Sequence, residues 1–354
     1  MKKKIFLISN LFPSENSPQF GVFVKNFKDQ IQNSDELTIS NLSVIRGRHS
    51  GYQKLKQYLF FVIKTIKLLK KSDYNIIYIH YGNHSLLPLL FIKPKTPYIV
   101  NLHGGDLIIE SKFNKIIALL TRHILVKSYR IVVPSTYMQD KLLSELTYRR
   151  EHVFISPSGG VNTSIFKFQE KVTKDITTIG FVSRFDLHKG WDTFLELANH
   201  YKKDSSIQFK MIGNGTYIED VKKFINKNEL NNIQLSNFQK HTELSKSFQT
   251  FDLFIFPSSR QGESLGLVGL ESMACGTPVI GSNSAGIKTY IEDNYNGYLF
   301  NPESASDLIS KTTKYLNLTF EEKQVFSQNA YLTSKKYDSL KVQQELNNFI
   351  LSVL

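Results

Sequence analysis

Cysteine is nearly missing from this 354-residue chain: Cys275 stands alone. An intrachain disulfide and a multi-cysteine metal site are thereby excluded, and a lone thiol fits a reducing compartment, the cytoplasm. Long apolar runs are missing as well. The chain begins MKKKIFLISN, in the manner of a signal peptide, but Ile5 to Ile8 is only four residues long. A secretory core needs about 7 to 15. Leu59–Ile63 and Leu86–Ile92 fall well below the roughly 18 residues that span a bilayer, so no crossing segment is expected. Several catalytic signatures are also absent. There is no G-x-x-x-x-G-K-[ST] loop, no serine inside G-x-S-x-G, no H-E-x-x-H, and no two aspartates one residue apart to grip a metal-bound diphosphate. Gly213-Asn214-Gly215 follows a strand pattern but lacks the third glycine of a dinucleotide fingerprint, which weighs against a Rossmann oxidoreductase.

Charge is present, and it is unevenly placed. The chain carries 44 Lys and Arg against 31 Asp and Glu. Residues 1–170 hold 24 basic and 11 acidic side chains, whereas 171–354 hold 20 of each, so the whole excess of +13 lies in the first half. Such asymmetry points to an anionic partner: a polyanion, an anionic substrate or an acidic lipid surface. A nucleic-acid binder would show a recognised basic motif, and the charge here is scattered. Two stretches concentrate it. In 52–71, Leu55, Leu59, Val62, Ile66 and Leu69 recur at helical spacing among Lys56, Lys64, Lys67, Lys70 and Lys71. In 111–130, Phe113, Ile116, Ile117, Leu120, Ile124 and Leu125 stand beside Lys112, Lys115, Arg122, His123 and Lys127. Either could lie on a membrane surface. Because a strand pattern follows 52–71 directly, that segment is expected to be a core helix with snorkelling lysines; for 111–130 the two readings balance.

Short β-rich runs alternate with helical ones, the mark of βα units and a parallel sheet. Strands are expected at Ile5–Ser9, Leu37–Val44, Asn75–His80, Tyr98–Leu102, Ile131–Val133 and Val153–Ile155, and again at 176–183, 207–212, 232–236, 252–257 and 277–281. A polar connection after Pro157 separates the two series, and 304–354 reads as helical. At roughly 100–200 residues per domain, this makes two successive α/β domains.

Three constellations carry chemistry. Residues 259–282 (SRQGESLGLVGLESMACGTPVIGS) follow a strand, and a helix from about Leu267 to Gly276 would hold Glu271 in its body and leave Glu263 on the loop before it. Gly266 and the N–H groups beside it would make a positive helix end suited to an anion, and a buried Glu271 could accept hydrogen bonds from vicinal hydroxyls such as those of ribose. In 180–198, Arg184 and Lys189 sit on a loop at the C-terminal edge of a strand, where open parallel sheets bind ligands; two cations there suit a diphosphate, unless they are merely solvated. His103-Gly104-Gly105-Asp106 follows the strand Tyr98–Leu102, so His103 would face the same kind of crevice, to bond a sugar hydroxyl or carry a proton, or else be structural.

Taken in order, FPSENSPQFGVFVKNF, HGGD, PSGGVNTSIF, VSRFDLHKGWD, MIGNGTYIEDV and ESLGLVGLESMACGTPVIGS resemble the motifs of the retaining nucleotide-sugar glycosyltransferases of GT-B architecture, glycosyltransferase family four, over nearly the whole chain. The resemblance implies two Rossmann-like domains facing a central cleft. An acceptor-binding domain over 1–165 would be completed by the final helix 335–354, and a donor-binding domain would cover 172–334. It implies that Gly21 approaches the donor diphosphate, that Arg184 and Lys189 neutralise the departing nucleoside diphosphate, and that Glu271 holds the ribose. Glu263 and His103 would orient the transferred sugar, the N–H groups around Leu265 to Leu267 would cap the phosphates, and Ser264 and Gly266 would lie in the same loop. Gly213 and Phe238 would border the nucleotide, Phe238 beside the base. No metal and no cofactor is implied; the partners are a nucleotide sugar, here expected to be UDP-linked, and a saccharide or lipid-linked saccharide, at an anionic membrane surface. Two departures bear on the donor: Ser264-Leu265 replace the usual Gly-Phe, and Ala285–Thr289 replaces G-G-x-P-E, with Lys288 at the proline and Thr289 at the glutamate. A nucleotide-sugar epimerase would need no acceptor, and the Glu263/Glu271 pattern weighs against it; a noncatalytic sugar-nucleotide binder would show no donor turnover.

Overall fold

The computed structural model describes residues 1–354 except 72 and 110. The chain divides into two units, Met1–Gly159 with Val342–Leu354, and Gly160–Lys341. The first unit runs β1 (Lys3–Phe12), α1 (Val22–Gln32), β2 (Leu37–Arg46), α2 (Gly51–Leu69), β3 (Ile76–His80), β4 (Tyr98–Asn101), α3 (Lys112–Val126), β5 (Arg130–Val133), α4 (Thr136–Glu145) and β6 (Val153–Ile155). Among the described residues these strands form one parallel sheet in the order β2-β1-β3-β4-β5-β6.

The run Ile5-Phe6-Leu7-Ile8 is apolar throughout because helices cover both faces of the sheet. Alternate side chains feed separate cores. Phe6 and Ile8 join Ile77, Ile79 and Val100 on one face, while Ile5 and Leu7 join Ile76, Tyr78 and Ile99 on the other. The second face also takes Leu346 and Ile350 from the last helix, α11 (Ser339–Ser352), whose Phe349 ring stacks on Phe154 at 4.2 Å.

The second unit runs β7 (Thr177–Val182), α5 (Trp191–His200), β8 (Ile207–Ile212), α6 (Ile218–Lys227), β9 (Ile233–Ser236), α7 (His241–Thr250), β10 (Leu253–Phe256), α8 (Leu267–Ala274), β11 (Val279–Ser282), β12 (Gly297–Phe300), α9 (Ala305–Leu316) and α10 (Phe320–Lys335). Its sheet is parallel in the order β12-β11-β10-β7-β8-β9. Residues 160–165 and 335–341, expected with the first domain, fall in this unit. The cause is a small backbone ladder: Val161 N–H donates to Tyr337 O, and Ser339 N–H donates to Val161 O, both at 2.8 Å.

Strand order reverses beside β1 in the first sheet, where β2 and β3 flank it, and beside β7 in the second, where β8 and β10 flank it. Adjacent connections leave for opposite faces at these points and open a crevice beyond the strands' C-terminal ends.

Two expectations are corrected. β12 has no counterpart in the sequence reading, since four residues, GYLF, are too few to display a period. α2 is not a core helix along its length. It packs inward through Tyr58, Phe61, Thr65 and Leu69, while Tyr52, Leu55, Leu59, Phe60 and Ile63 are exposed. α3 behaves likewise: Thr121, Ile124 and Leu125 are buried, and Phe113, Ile116, Leu119 and Leu120 lie open.

Candidate active site

In the second unit the residues singled out from sequence gather at the C-terminal ends of β7, β8 and β10. The loop after β7 ends at Gly190, which opens α5 with φ +71°; a Cβ there would stand 2.3 Å from Pro257 O, so the loops after β7 and β10 touch and only glycine fits. Ser259 N–H and Ser258 Oγ both donate to His188 O, at 3.0 and 3.2 Å. This seam sets Lys189 opposite Glu263, with Lys189 Nζ 2.5 Å from Glu263 Oε2 and the side chains only 12% and 17% exposed. Ser258 Oγ also reaches Glu263 Oε2 at 3.4 Å.

Arg184 differs. Its guanidinium is 65% exposed and meets Asp186 at 2.8 Å, while Asp186 accepts from the Thr216 N–H and hydroxyl, both at 3.2 Å. Lys189 is therefore enclosed and paired, whereas Arg184 is paired within its own loop and stays largely in solvent. A Cβ on Gly213, at φ +151°, would fall 1.8 Å from Ser183 O, which interlocks the loops after β7 and β8. Phe238 lies just past β9 and is 68% exposed.

The loop carrying Glu263, Ser264 and Leu265 rests on residues 285–286: Gly286 N–H donates to Glu263 O at 2.9 Å, and a Cβ on Gly286 would come within 2.4 Å of Ser264 O. Leu265 is buried, anchoring the loop, and Gly266 (φ +82°) opens α8 against the Phe256 ring with no side-chain cap. The first turn, from Leu267, thus presents backbone N–H groups at a helix N-terminus, a place of partial positive charge. One turn further, Glu271 is half-buried and its carboxylate has no hydrogen-bond partner among the described residues; burial pushes its pKa up to about 7. Desolvation without a compensating donor is the cause. Thr289, where the resembled motif has a glutamate, turns its hydroxyl back onto Gly286 O at 2.6 Å, and Lys288 is exposed.

In the first unit Gly21 (φ +71°) opens α1, and a Cβ there would stand 2.5 Å from Leu11 C. Its neighbourhood admits no side chain. His103, past β4, places Nε2 2.9 Å from His80 Nδ1, and its ring lies on Phe23 at 4.0 Å. Burial pushes the His103 pKa down to about 3, so the pair is neutral, one imidazole donating and the other accepting. Asp106 receives the N–H groups of His103 and Gly82 at 2.8 and 2.9 Å and holds that loop in place. His80 was missed from sequence. The signal was available, because it ends β3 just as His103 follows β4.

Two doubly wound parallel domains, with a paired Lys and Glu and an uncapped helix start at the second switch point, define the GT-B class of nucleotide-sugar-binding transferases. The comparisons agree: the pattern described as Glycosyltransferase Family 4 matches residues 20–163, and that described as Glycosyl transferases group 1 matches residues 162–333. The chain belongs to this glycosyltransferase family. An uncharacterized glycosyltransferase of Methanocaldococcus jannaschii is 26% identical over 272 residues, covering 76% of this chain and 73% of the relative. An uncharacterized 41.2 kDa protein in the cps region of Klebsiella pneumoniae is 27% identical over 299 residues, covering 79% and 81%. Among solved structures, Anabaena HepE in complex with UDP and glucose shares the fold, with a TM-score of 0.76, 17% identity and coverage of 99% and 100%.

Proposed function

We propose that this glycosyltransferase moves a sugar, with retention of anomeric configuration and without a metal, from a UDP-linked donor to a lipid-linked saccharide. The product would serve cell-surface polysaccharide or glycoconjugate synthesis, at the cytoplasmic face of the membrane. The observation that carries the reading is the Lys189–Glu263 pair beside the uncapped start of α8. In this reading Arg184, Lys189, the N–H groups from Leu265 to Leu267 and the backbone at Gly21 receive the diphosphate. Glu271 accepts from the ribose hydroxyls, Glu263 and His103 hold the transferred sugar, Ser264 forms its wall, and Gly213 and Phe238 border the nucleotide. As the bond from the anomeric carbon to phosphate breaks, the acceptor hydroxyl bonds to the same face of that carbon, and its proton passes to a donor phosphate oxygen. Charge grows on the leaving diphosphate, where a fixed cation and a helix end stabilise it most. The UDP assignment draws support from the complex named for Anabaena HepE, and the polysaccharide role from the cps location of the Klebsiella relative.

Titration calorimetry of the whole chain against UDP-, GDP- and ADP-sugars tests the donor. A UDP-sugar is expected to bind tightest; preference for another base overturns the UDP assignment, and binding of none overturns the transferase reading.

The membrane assignment rests on α2 and α3. Both pack against the turn 84–90 and expose Leu55, Leu59, Phe60, Phe113, Ile116 and Leu119 among lysines, with no Asp or Glu in 51–71 or 111–130. No helix among the described residues is long and apolar enough to cross a membrane. Apolar side chains entering the interface and lysines facing anionic headgroups, worth about 1 kcal/mol each, fit surface binding. In flotation with phosphatidylglycerol vesicles the chain should rise with the lipid, and Leu59→Asp with Phe113→Asp should keep it at the bottom. Equal recovery in the soluble fraction with and without anionic lipid defeats the assignment.

A further inference from the structure

Past the ends of β1 and β2, in the first unit, lies a cavity of about 310 Å³ whose lining includes Asn10, Arg48, Lys54, Tyr58, His84 and Asn114 and no carboxylate. Its polar groups are set to donate. Arg48 lies over the Phe20 ring at 5.6 Å, and neither Arg48 nor Lys54 has a carboxylate partner among the described residues. Tyr58 OH accepts from Asn10 Nδ2 at 3.0 Å, which leaves its own proton to give. Asn10 Oδ1 is occupied in turn by Ser85 Oγ at 2.9 Å, so this hydrogen-bond chain runs in one direction.

His84 adds an aromatic, polar wall. It is 7% exposed, lies between Tyr58 and Phe113 (5.6 and 6.4 Å between ring centroids), and its Nδ1 has no hydrogen-bond partner among the described residues. The residue lines the cavity, and the unpaired Nδ1 is itself enclosed. The turn that carries Arg48 is built in advance. Gly47, at φ +74°, donates to Phe12 O at 2.9 Å, and His49 Nε2 lies 2.8 Å from Arg46 O.

We propose that this cavity binds a phosphoryl group, the phosphate or diphosphate of the acceptor. A cluster of donors with two unpaired cations and no acid matches an anion that accepts on several oxygens at once. Lys54 stands on α2 between the exposed Tyr52 and Leu55, so a phosphate borne by a lipid would sit where that helix meets a bilayer. Assigning the phosphate to the acceptor rests on the transferase reading; the anion site itself does not.

The test is calorimetry with inorganic pyrophosphate on the full chain carrying Arg184→Ala and Lys189→Met, which removes the two donor-side cations. Pyrophosphate should still bind, and adding Arg48→Ala with Lys54→Ala, both exposed positions, should weaken it about tenfold or more. Geranyl diphosphate distinguishes the source: binding about tenfold tighter than pyrophosphate identifies a lipid headgroup, and equal binding identifies a soluble phosphate ester. No pyrophosphate binding in the Arg184/Lys189 background, or binding unchanged by the Arg48/Lys54 pair, overturns the site. A chain that binds pyrophosphate there and consumes no sugar nucleotide loses the transferase reading and keeps the cavity.

Discussion

Replacing Lys189 by methionine is expected to lower kcat about 10²–10³-fold, with a smaller change in KM, because the charge it meets is greatest on the departing diphosphate. Glu263→Gln should cost a similar factor. Since the two groups meet at 2.5 Å and are nearly enclosed, they act as a unit, and the double variant should be little slower than either single one. Methionine and glutamine are the informative replacements. Glutamine, unlike alanine, keeps an oxygen to accept from the Lys189 ammonium and leaves no gap, but every one of these changes removes a counter-ion from a largely buried pair, which can destabilise by about 3–5 kcal/mol in itself. Steady-state kinetics with the preferred sugar nucleotide, alongside thermal unfolding of each variant, make the measurement. Wild-type kcat in Lys189→Met, or losses that multiply in the double variant, would remove Lys189 and Glu263 from the roles proposed for them.

Glu271→Gln should separate stability from binding. The folded pKa of about 7 lies above the ordinary carboxyl value of 4.5, so the native state holds this proton more tightly than the unfolded chain does. Stability is then lost as pH rises from about 4.5 to about 7 and stays lower above that window. At pH 8 the glutamine variant should be more stable than the parent by about 2–3 kcal/mol, and near pH 4 the two should unfold together. Binding should move the other way. If two ribose hydroxyls donate to the carboxylate, its loss should weaken the donor about 10–100-fold, since hydrogen bonds to a charged group are worth about 1.5–3 kcal/mol each. Parent affinity should rise with pH up to about 7 and then level. Denaturant melts at pH 4 and 8, with titrations across the same range, decide it; a variant less stable at pH 8, or one that binds the donor as the parent does, refutes the account.

The residues at stake were legible to different degrees. Glu263, Glu271, Arg184, Lys189 and His103 stand out in sequence because they lie in ordered motifs that resemble those of a known family, beside strand and helix boundaries that local periodicity marks. His80 was overlooked although it ends a strand, because its role appears only once β3 and β4 lie side by side and bring it to 2.9 Å from His103. The cavity around Arg48, Lys54 and His84 has no linear motif at all: its walls come from β1, the turn after β2, α2, the turn after β3 and α3.

The apolar period of 52–71 marks a helix correctly, yet it could not distinguish a core face from one left open. Periodicity records which residues share a side, and burial depends on what packs against that side; residues 51–56 of α2, before Tyr58, lie open.

What this sequence determined by itself was the alternation of strands and helices, the two α/β domains, the family and the side chains available for chemistry. These reside in short-range order and composition, which survive in a linear reading. Tertiary structure alone decided that Lys189 meets Glu263, that Glu271 is partly enclosed without a partner, and that α2 and α3 leave large apolar side chains uncovered. Distance, solvation and pairing depend on elements far apart in the chain, and no local pattern encodes the dielectric that a neighbour creates.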